Sequence, residues 1–197
     1  MRKITTQLKP AIILLALLTV ATGLLYPLAV TMIAQGIFPE QANGSLLIHY
    51  GEVAGSTLVG QPFDDRRYFW SRPSATAPYP YNAAASAGTN LGPTNSRLLD
   101  DVAARVEALQ TADPGNAAPV PVDLVTASAS GLDPHVSVAS AHYQIARVAR
   151  VRGLDEEIIA QLVAQYTEPR QFGVLGEPRV NVLRLNLALD ALQSGNQ

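Results

Sequence analysis

Few side chains in this 197-residue chain have chemistry to offer. The histidines are His49, His135 and His142, and the last two lie seven residues apart with Asp133 close by. A zinc site more typically sets two histidines at i, i+4 with a base between them. These three therefore read as surface or structural histidines, and no metal site is expected. A serine hydrolase can be written from Ser128 or Ser130 with Asp133 and His135. No G-x-S-x-G elbow accompanies them, and triad partners normally come from separate segments of chain. Serines and aspartates packed this closely serve turns and helix caps instead. The Ala-Ser-Ala-Ser-Gly stretch at 127–131 could hold an anion on backbone N–H groups.

Two absences narrow the chemistry further. Cysteine is missing, which excludes disulfides, thiolate metal sites and a cysteine nucleophile. Lys3 and Lys9 are the only lysines, so nothing after residue 9 can act as a P-loop or Schiff-base lysine. An independent nucleotide-hydrolysing engine does not fit. No catalytic residue is expected.

The element that must position everything else is the run Pro10–Pro39, which carries no charged residue. A bilayer's hydrocarbon core takes about 20 helical residues, and buried core helices rarely hold more than about 14 uninterrupted apolar ones. The run predicts a transmembrane helix over 10–39, with residues 1–9 before it and a soluble domain over 40–197. A cleavable signal peptide would stop after about 7–15 apolar residues at a small-x-small site. Here hydrophobicity continues to Phe38. Arg2, Lys3 and Lys9 precede the run and no Arg or Lys follows until Arg66. Basic flanks stay cytoplasmic, so residues 1–9 are expected in the cytoplasm and 40–197 outside it. Within the span, Thr19 and Gly23 at i, i+4 would let a second helix approach closely. Pro27 removes a backbone hydrogen bond and should kink the helix.

Three of the 14 basic residues precede the span, leaving 11 against 16 acidic ones and a net charge of −5 for the domain. That sign suits neither a nucleic-acid partner nor an anionic membrane surface. Short β-like runs are expected at Ser45–Tyr50, Ser56–Val59, Arg67–Ser71 and Val122–Thr126, with a tight turn at Ser128–Gly131. Helices are expected after Thr94 or Asn95 (Leu98, Leu99, Val102, Val106, Leu109) and after Ser137 (Ala141, Ile145, Val148, Val151). Two more should follow Asp155 (Ile158, Ile159, Leu162, Val163, Tyr166) and Asn181 (Val182, Leu185, Leu189, Leu192). The fold class is α+β: one N-terminal transmembrane helix, then one mixed domain. Between Arg72 and Asn95 lies a Pro-, Gly-, Asn- and Ser-rich stretch too long for a simple connector. Its Tyr81, Asn82, Asn90 and Asn95 join Thr19 and Gly23 as candidate partner contacts.

Several long blocks occur in order after a basic start and a span containing Tyr26-Pro27. They are QANGSL, GSTLVGQPF, YFWSRPSA, TNLGPTN, VPVDLVTASASGLDPHVS, YQIARVAR and LGEPRVNVLRLNLALD. Over nearly its whole length the chain resembles the C subunit of the Kdp potassium-transporting ATPase. Ala87 and Thr89 depart from that pattern, where the family often has glycine and serine. The resemblance implies an accessory, non-catalytic subunit of the cell inner membrane. Its implied partners are a potassium-selective channel-like subunit, a P-type ATPase subunit and a small accessory subunit. Two roles compete: a chaperone that raises the pump subunit's ATP affinity, or an outer cap on the potassium entrance. No firmly bound cofactor is implied. If ATP is contacted within the complex, Ser128, Ser130, Gly131 and Gln144 are the expected residues. The charge asymmetry about the span favours the cap.

Overall fold

The computed structural model describes residues 2–49 and 51–194. It begins with a long apolar helix followed by a domain of mixed helices and strands, as the sequence leads one to expect. Residues Thr6–Ile37 form 32 helical positions, long and apolar enough to cross a membrane. Helix α1 (Arg2–Val20) passes through a π-helical turn at Ala21–Leu25 into α2 (Tyr26–Ile37). The wide turn lies just ahead of Pro27. There the Tyr26 N–H donates to the Ala21 carbonyl, and the Thr22 hydroxyl donates to the Leu18 carbonyl at 2.7 Å. The helix accommodates the missing proline donor by widening. A short helix α3 (Pro39–Ala42) follows.

The domain opens with β1 (Leu46–His49) and β2 (Glu52–Ser56), which pair as a two-stranded sheet. The first expected run, Ser45–Tyr50, thus holds β1, although Tyr50 lies outside the described residues. The second, Ser56–Val59, is corrected: β2 ends where that run was to begin. The Ser56 hydroxyl accepts from the Leu58 N–H at 3.1 Å and turns the chain.

Helix α4 (Ser96–Ala112) comes next, then a four-residue helix α5 (Val122–Val125) where a strand was expected. Pro121 suits the start of a helical turn, and the Thr126 hydroxyl closes it by donating to the Val122 carbonyl. The turn aims Asp123 at the next helix, where its carboxylate accepts from the Ser137 N–H at 2.7 Å. Strand β3 (His135–Ser137) leads into α6 (Val138–Arg152), then α7 (Glu156–Gln165), β4 (Thr167–Glu168), β5 (Arg179–Asn181) and α8 (Val182–Ser194). The second sheet has the order β3-β5-β4, with both pairs antiparallel and Val136 opposite Val180.

Caps fall where expected. Asn95, Ser137, Asp155 and Asn181 each accept a backbone N–H from the first turn of α4, α6, α7 and α8. Gly153 closes α6 in the left-handed conformation. The core is built on α6, which buries Ala141, Ile145, Val148 and Ala149 against Ile159, Leu162 and Val163 of α7 and Val182, Leu185 and Leu189 of α8. Val151, Ile158 and Leu99, expected on apolar faces, are exposed. The true buried stripe of α6 instead includes Gln144 and Arg147, each 1% exposed.

Candidate functional site

Segment 67–71 was expected to be a strand and is not one. Its backbone is held by side chains in place of a neighbouring strand. The Asn186 amide accepts from the Phe69 N–H at 2.9 Å and donates to the Phe69 carbonyl at 3.0 Å. The Gln144 amide does the same for Trp70, at 2.7 and 3.2 Å. Arg147 donates to the Arg66 and Tyr68 carbonyls, and Arg152 to the Arg67 carbonyl. A carboxamide offers both donor and acceptor, so it can stand in for one step of a β-ladder. Helices α6 and α8 thereby clip an irregular segment to the core.

The clip sets the start of the long polar loop. Arg72 pairs with Asp133 at 3.0 Å, and the loop then folds back over the Ser128–Gly131 turn. Ser74 donates to the Gly131 carbonyl at 2.7 Å, and the Ala87 N–H and Ser86 hydroxyl both donate to the Ser130 carbonyl at 3.0 Å. Gly131 has φ +67, and a Cβ there would meet the Ala87 carbonyl oxygen at 2.6 Å.

Tyr81 and Asn82 are buried inside the loop, at 9% and 6% exposure. The Tyr81 hydroxyl donates to the Arg72 carbonyl and its N–H to Ser74; burial pushes the phenol up to about 12. Asn82 donates to the Ala77 carbonyl at 3.0 Å and accepts from the Ala84 N–H at 3.0 Å. These two side chains order the loop from within. Asn90 is exposed in the left-handed region (φ 52), and Asn95 is exposed as the α4 cap. In the span, Thr19 and Gly23 are exposed, with nothing within 4 Å of where a Cβ on Gly23 would lie. Beside the loop, a cleft of about 250 Å³ is lined by Trp70, Arg72, Tyr81 and Arg105 among others. Arg105 donates to the Val125 carbonyl, and burial pulls its pKa down.

The residues expected to meet a nucleotide are all engaged internally. The Ser128 hydroxyl accepts from the Gly131 N–H at 2.9 Å, and that of Ser130 accepts from the Leu132 N–H at 3.1 Å. The expected tight turn is therefore present. Gln144 is buried with both amide atoms bonded to Trp70, Ser140 and Arg147. Nor is a Ser130–Asp133–His135 relay assembled. His135 faces Asp133 at 3.4 Å through Nδ1 and Glu168 at 3.6 Å through Nε2. Burial works against the Asp133 charge, but the His135 hydrogen bonds and the Arg72 guanidinium outweigh it and hold the carboxyl below its ordinary pKa. His142 is exposed on α6. Among the described residues, no group of three or more His, Asp or Glu side chains is placed to hold a metal ion.

Sequence reasoning missed the clip itself. The signal was available: Gln144 falls three residues after Ala141 and four before Val148, Arg147 follows it by three, and Asn186 adjoins Leu185 in a leucine-rich helix. Polar side chains on a buried stripe must be satisfied, and exposed backbone is a common way to satisfy them.

Comparison with known proteins agrees with the blocks from which the resemblance was read. Relatives named potassium-transporting ATPase KdpC subunit occur in Methylococcus capsulatus, 64% identical over 185 residues, covering 94% of this chain and 97% of that one. Another, in Polaromonas naphthalenivorans, is 64% identical over 189 residues and 96% of both chains. A third, in Burkholderia vietnamiensis, is 59% identical over 191 residues, 97% of this chain and 99% of that one. The family model described as K+-transporting ATPase, c chain, matches residues 8–191, and the chain belongs to that KdpC family.

Proposed function

We propose that this chain is a non-catalytic accessory subunit of a potassium-transporting ATPase, anchored by Thr6–Ile37. In this reading the domain faces the extracytoplasmic side and docks over the channel-like subunit's potassium entrance. It helps to join that subunit to the P-type ATPase and small accessory subunits. The name shared by the relatives supports membership of such a complex. Arg2, Lys3 and Lys9 ahead of an uncharged span support the orientation.

The observation that carries the choice of cap over ATP chaperone is Gln144. Its amide is spent on Trp70, Ser140 and Arg147, at 1% exposure. With no lysine in the domain and the Ser128 and Ser130 hydroxyls closing their own turn, the domain offers a triphosphate little that is free. ATP contact, if any, belongs to the complex with the pump subunit. A net charge of −5 beside a cation entrance would raise local potassium through its field.

The test is a reporter cysteine at Ala103, exposed on α4 of this cysteine-free chain. In intact spheroplasts it should react with an impermeant thiol reagent. Reaction only after lysis would overturn the orientation and reopen the chaperone role.

A further inference from the structure

Between β4 and β5 the chain projects a finger, residues 169–178, whose apex is apolar and bare. Phe172 is 91% exposed, Val174 72% and Leu175 56%. The backbone adopts uncommon conformations to present them. Phe172 takes a left-handed φ of 54, followed by Gly173 at 76 and Gly176 at 75. The apex also satisfies part of its own backbone. Gln171 and Leu175 exchange both N–H···O bonds at 2.9 Å, Gly173 donates to the Arg170 carbonyl and Val174 to the Gln171 carbonyl. The neck is closed by Arg170–Glu177 at 2.6 Å and Arg179–Glu168 at 3.0 Å.

We infer that this finger dips its apex into the lipid headgroup and upper acyl layer of the membrane in which the chain is anchored. Three features select lipid over protein. The apex exposes on the order of 400 Å² of apolar surface, against about 800 Å² per partner in a stable protein interface. A bilayer asks for no complementary pocket, so a small knob suffices, and tethering supplies high effective concentration. A segment entering an apolar medium must also carry its own hydrogen bonds, and this apex carries the four just described. Of the five charged side chains at the neck and base, Arg170, Arg179, Arg184, Glu168 and Glu177, the sum is +1, so the finger is locally spared the domain's net charge of −5. The inference rests on the helix spanning a bilayer, and not on which side the domain occupies.

The test uses the full chain alone, without other subunits, in nanodiscs containing phosphatidylglycerol. Phe172→Cys and Val174→Cys are each labelled with a nitroxide, with Glu107→Cys on the exposed face of α4 as reference. Collision rates with oxygen and with a water-soluble nickel chelate report depth. Both apex labels should show an oxygen-to-nickel ratio several-fold above that at position 107. Water-like ratios at both positions overturn the proposal. So does shielding that develops only when the other subunits are added, which makes the finger a protein dock. Shielding that vanishes when the chain is diluted to one copy per disc makes it a self-contact, with the same consequence. Retention of the chain in the disc checks the anchor separately.

Discussion

The Arg147 guanidinium lies 4.8 Å from the centroid of the Trp70 ring while bonding to the two carbonyls, Arg66 and Tyr68, that precede that tryptophan. One cation thus fixes both the backbone and the ring at the root of the polar loop. Burial pulls its pKa down to about 10, so it stays charged at neutral pH. Arg147→Met would leave two carbonyls without their charged donor, and Arg147→Lys could not fork to both or stack on the ring. Each variant should lose about 3 kcal/mol, from hydrogen bonds to a charged group worth roughly 1.5–3 kcal/mol each. Thermal unfolding in detergent measures it. A lysine variant as stable as wild type would show that the clip is not bidentate in effect.

Tyr81 predicts an alkaline signature. Its buried phenol titrates at about 12 in the folded state and at about 10 unfolded. The folded state therefore holds the proton more tightly. The stabilisation is complete below pH 10 and is lost as pH rises to 12, by about 2–3 kcal/mol. Arg147 acts the other way over this window, since its folded pKa lies below the ordinary guanidinium value and stability rises as the buried cation discharges. Tyr81→Phe isolates the tyrosine contribution. The variant should be about 1 kcal/mol less stable at pH 8, for the lost bond to the Arg72 carbonyl, and should then hold its stability better between pH 10 and 12. Parallel pH profiles would disprove this.

What the sequence made legible was local chemistry. The caps Asn95, Ser137, Asp155 and Asn181 could be read because each acts within its own first turn. The long apolar helix could be read because its uncharged run is about twice the length that a buried core helix sustains. Strands β3, β4 and β5 could not, because two or three residues cannot display an alternation. Segment 67–71 looked like a strand from its residue types, but its start is a turn closed by the Tyr68 N–H on the Asp65 carbonyl, and its partners are Gln144, Arg147 and Asn186, far away in sequence. In the candidate site, the loop's polarity was legible while the direction its residues face was not. Tyr81 and Asn82 face inward on bonds to Arg72, Ser74 and Ala77 that composition does not reveal.

Gly131 should behave as the pin between the loop and the turn beneath it. Its φ of +67 alone costs alanine about 1–2 kcal/mol, and a Cβ would also press on the Ala87 carbonyl and on Thr76. Gly115 has φ +96 with open space around it, so Gly115→Ala carries the backbone cost without the clash. Gly131→Ala should be the more damaging of the two. It alone should speed proteolysis within 72–95, read by mass spectrometry of the nicked products. Equal proteolysis in both variants would mean that the loop is not held through this contact.

Asn82 and Asn90 separate the loop's internal order from its outward role. Asn82 is 6% exposed with its amide bonded on both sides. Asn82→Ala should therefore cost about 1–2 kcal/mol of domain stability and lower complex yield only through that loss. Asn90 is exposed and already left-handed. Asn90→Gly keeps the backbone unstrained while deleting the side chain, so the isolated chain's melting temperature should stay within about 1 °C. If the loop docks on the channel-like subunit through Asn90, the yield of intact complex should fall, while surviving complexes keep their apparent potassium affinity. If Asn90 lines a cation path, yield should hold and the affinity should shift. Should yield, affinity and maximal ATPase rate all match wild type, Asn90 has no outward role, and docking must be sought elsewhere on the loop, first around the exposed Tyr79.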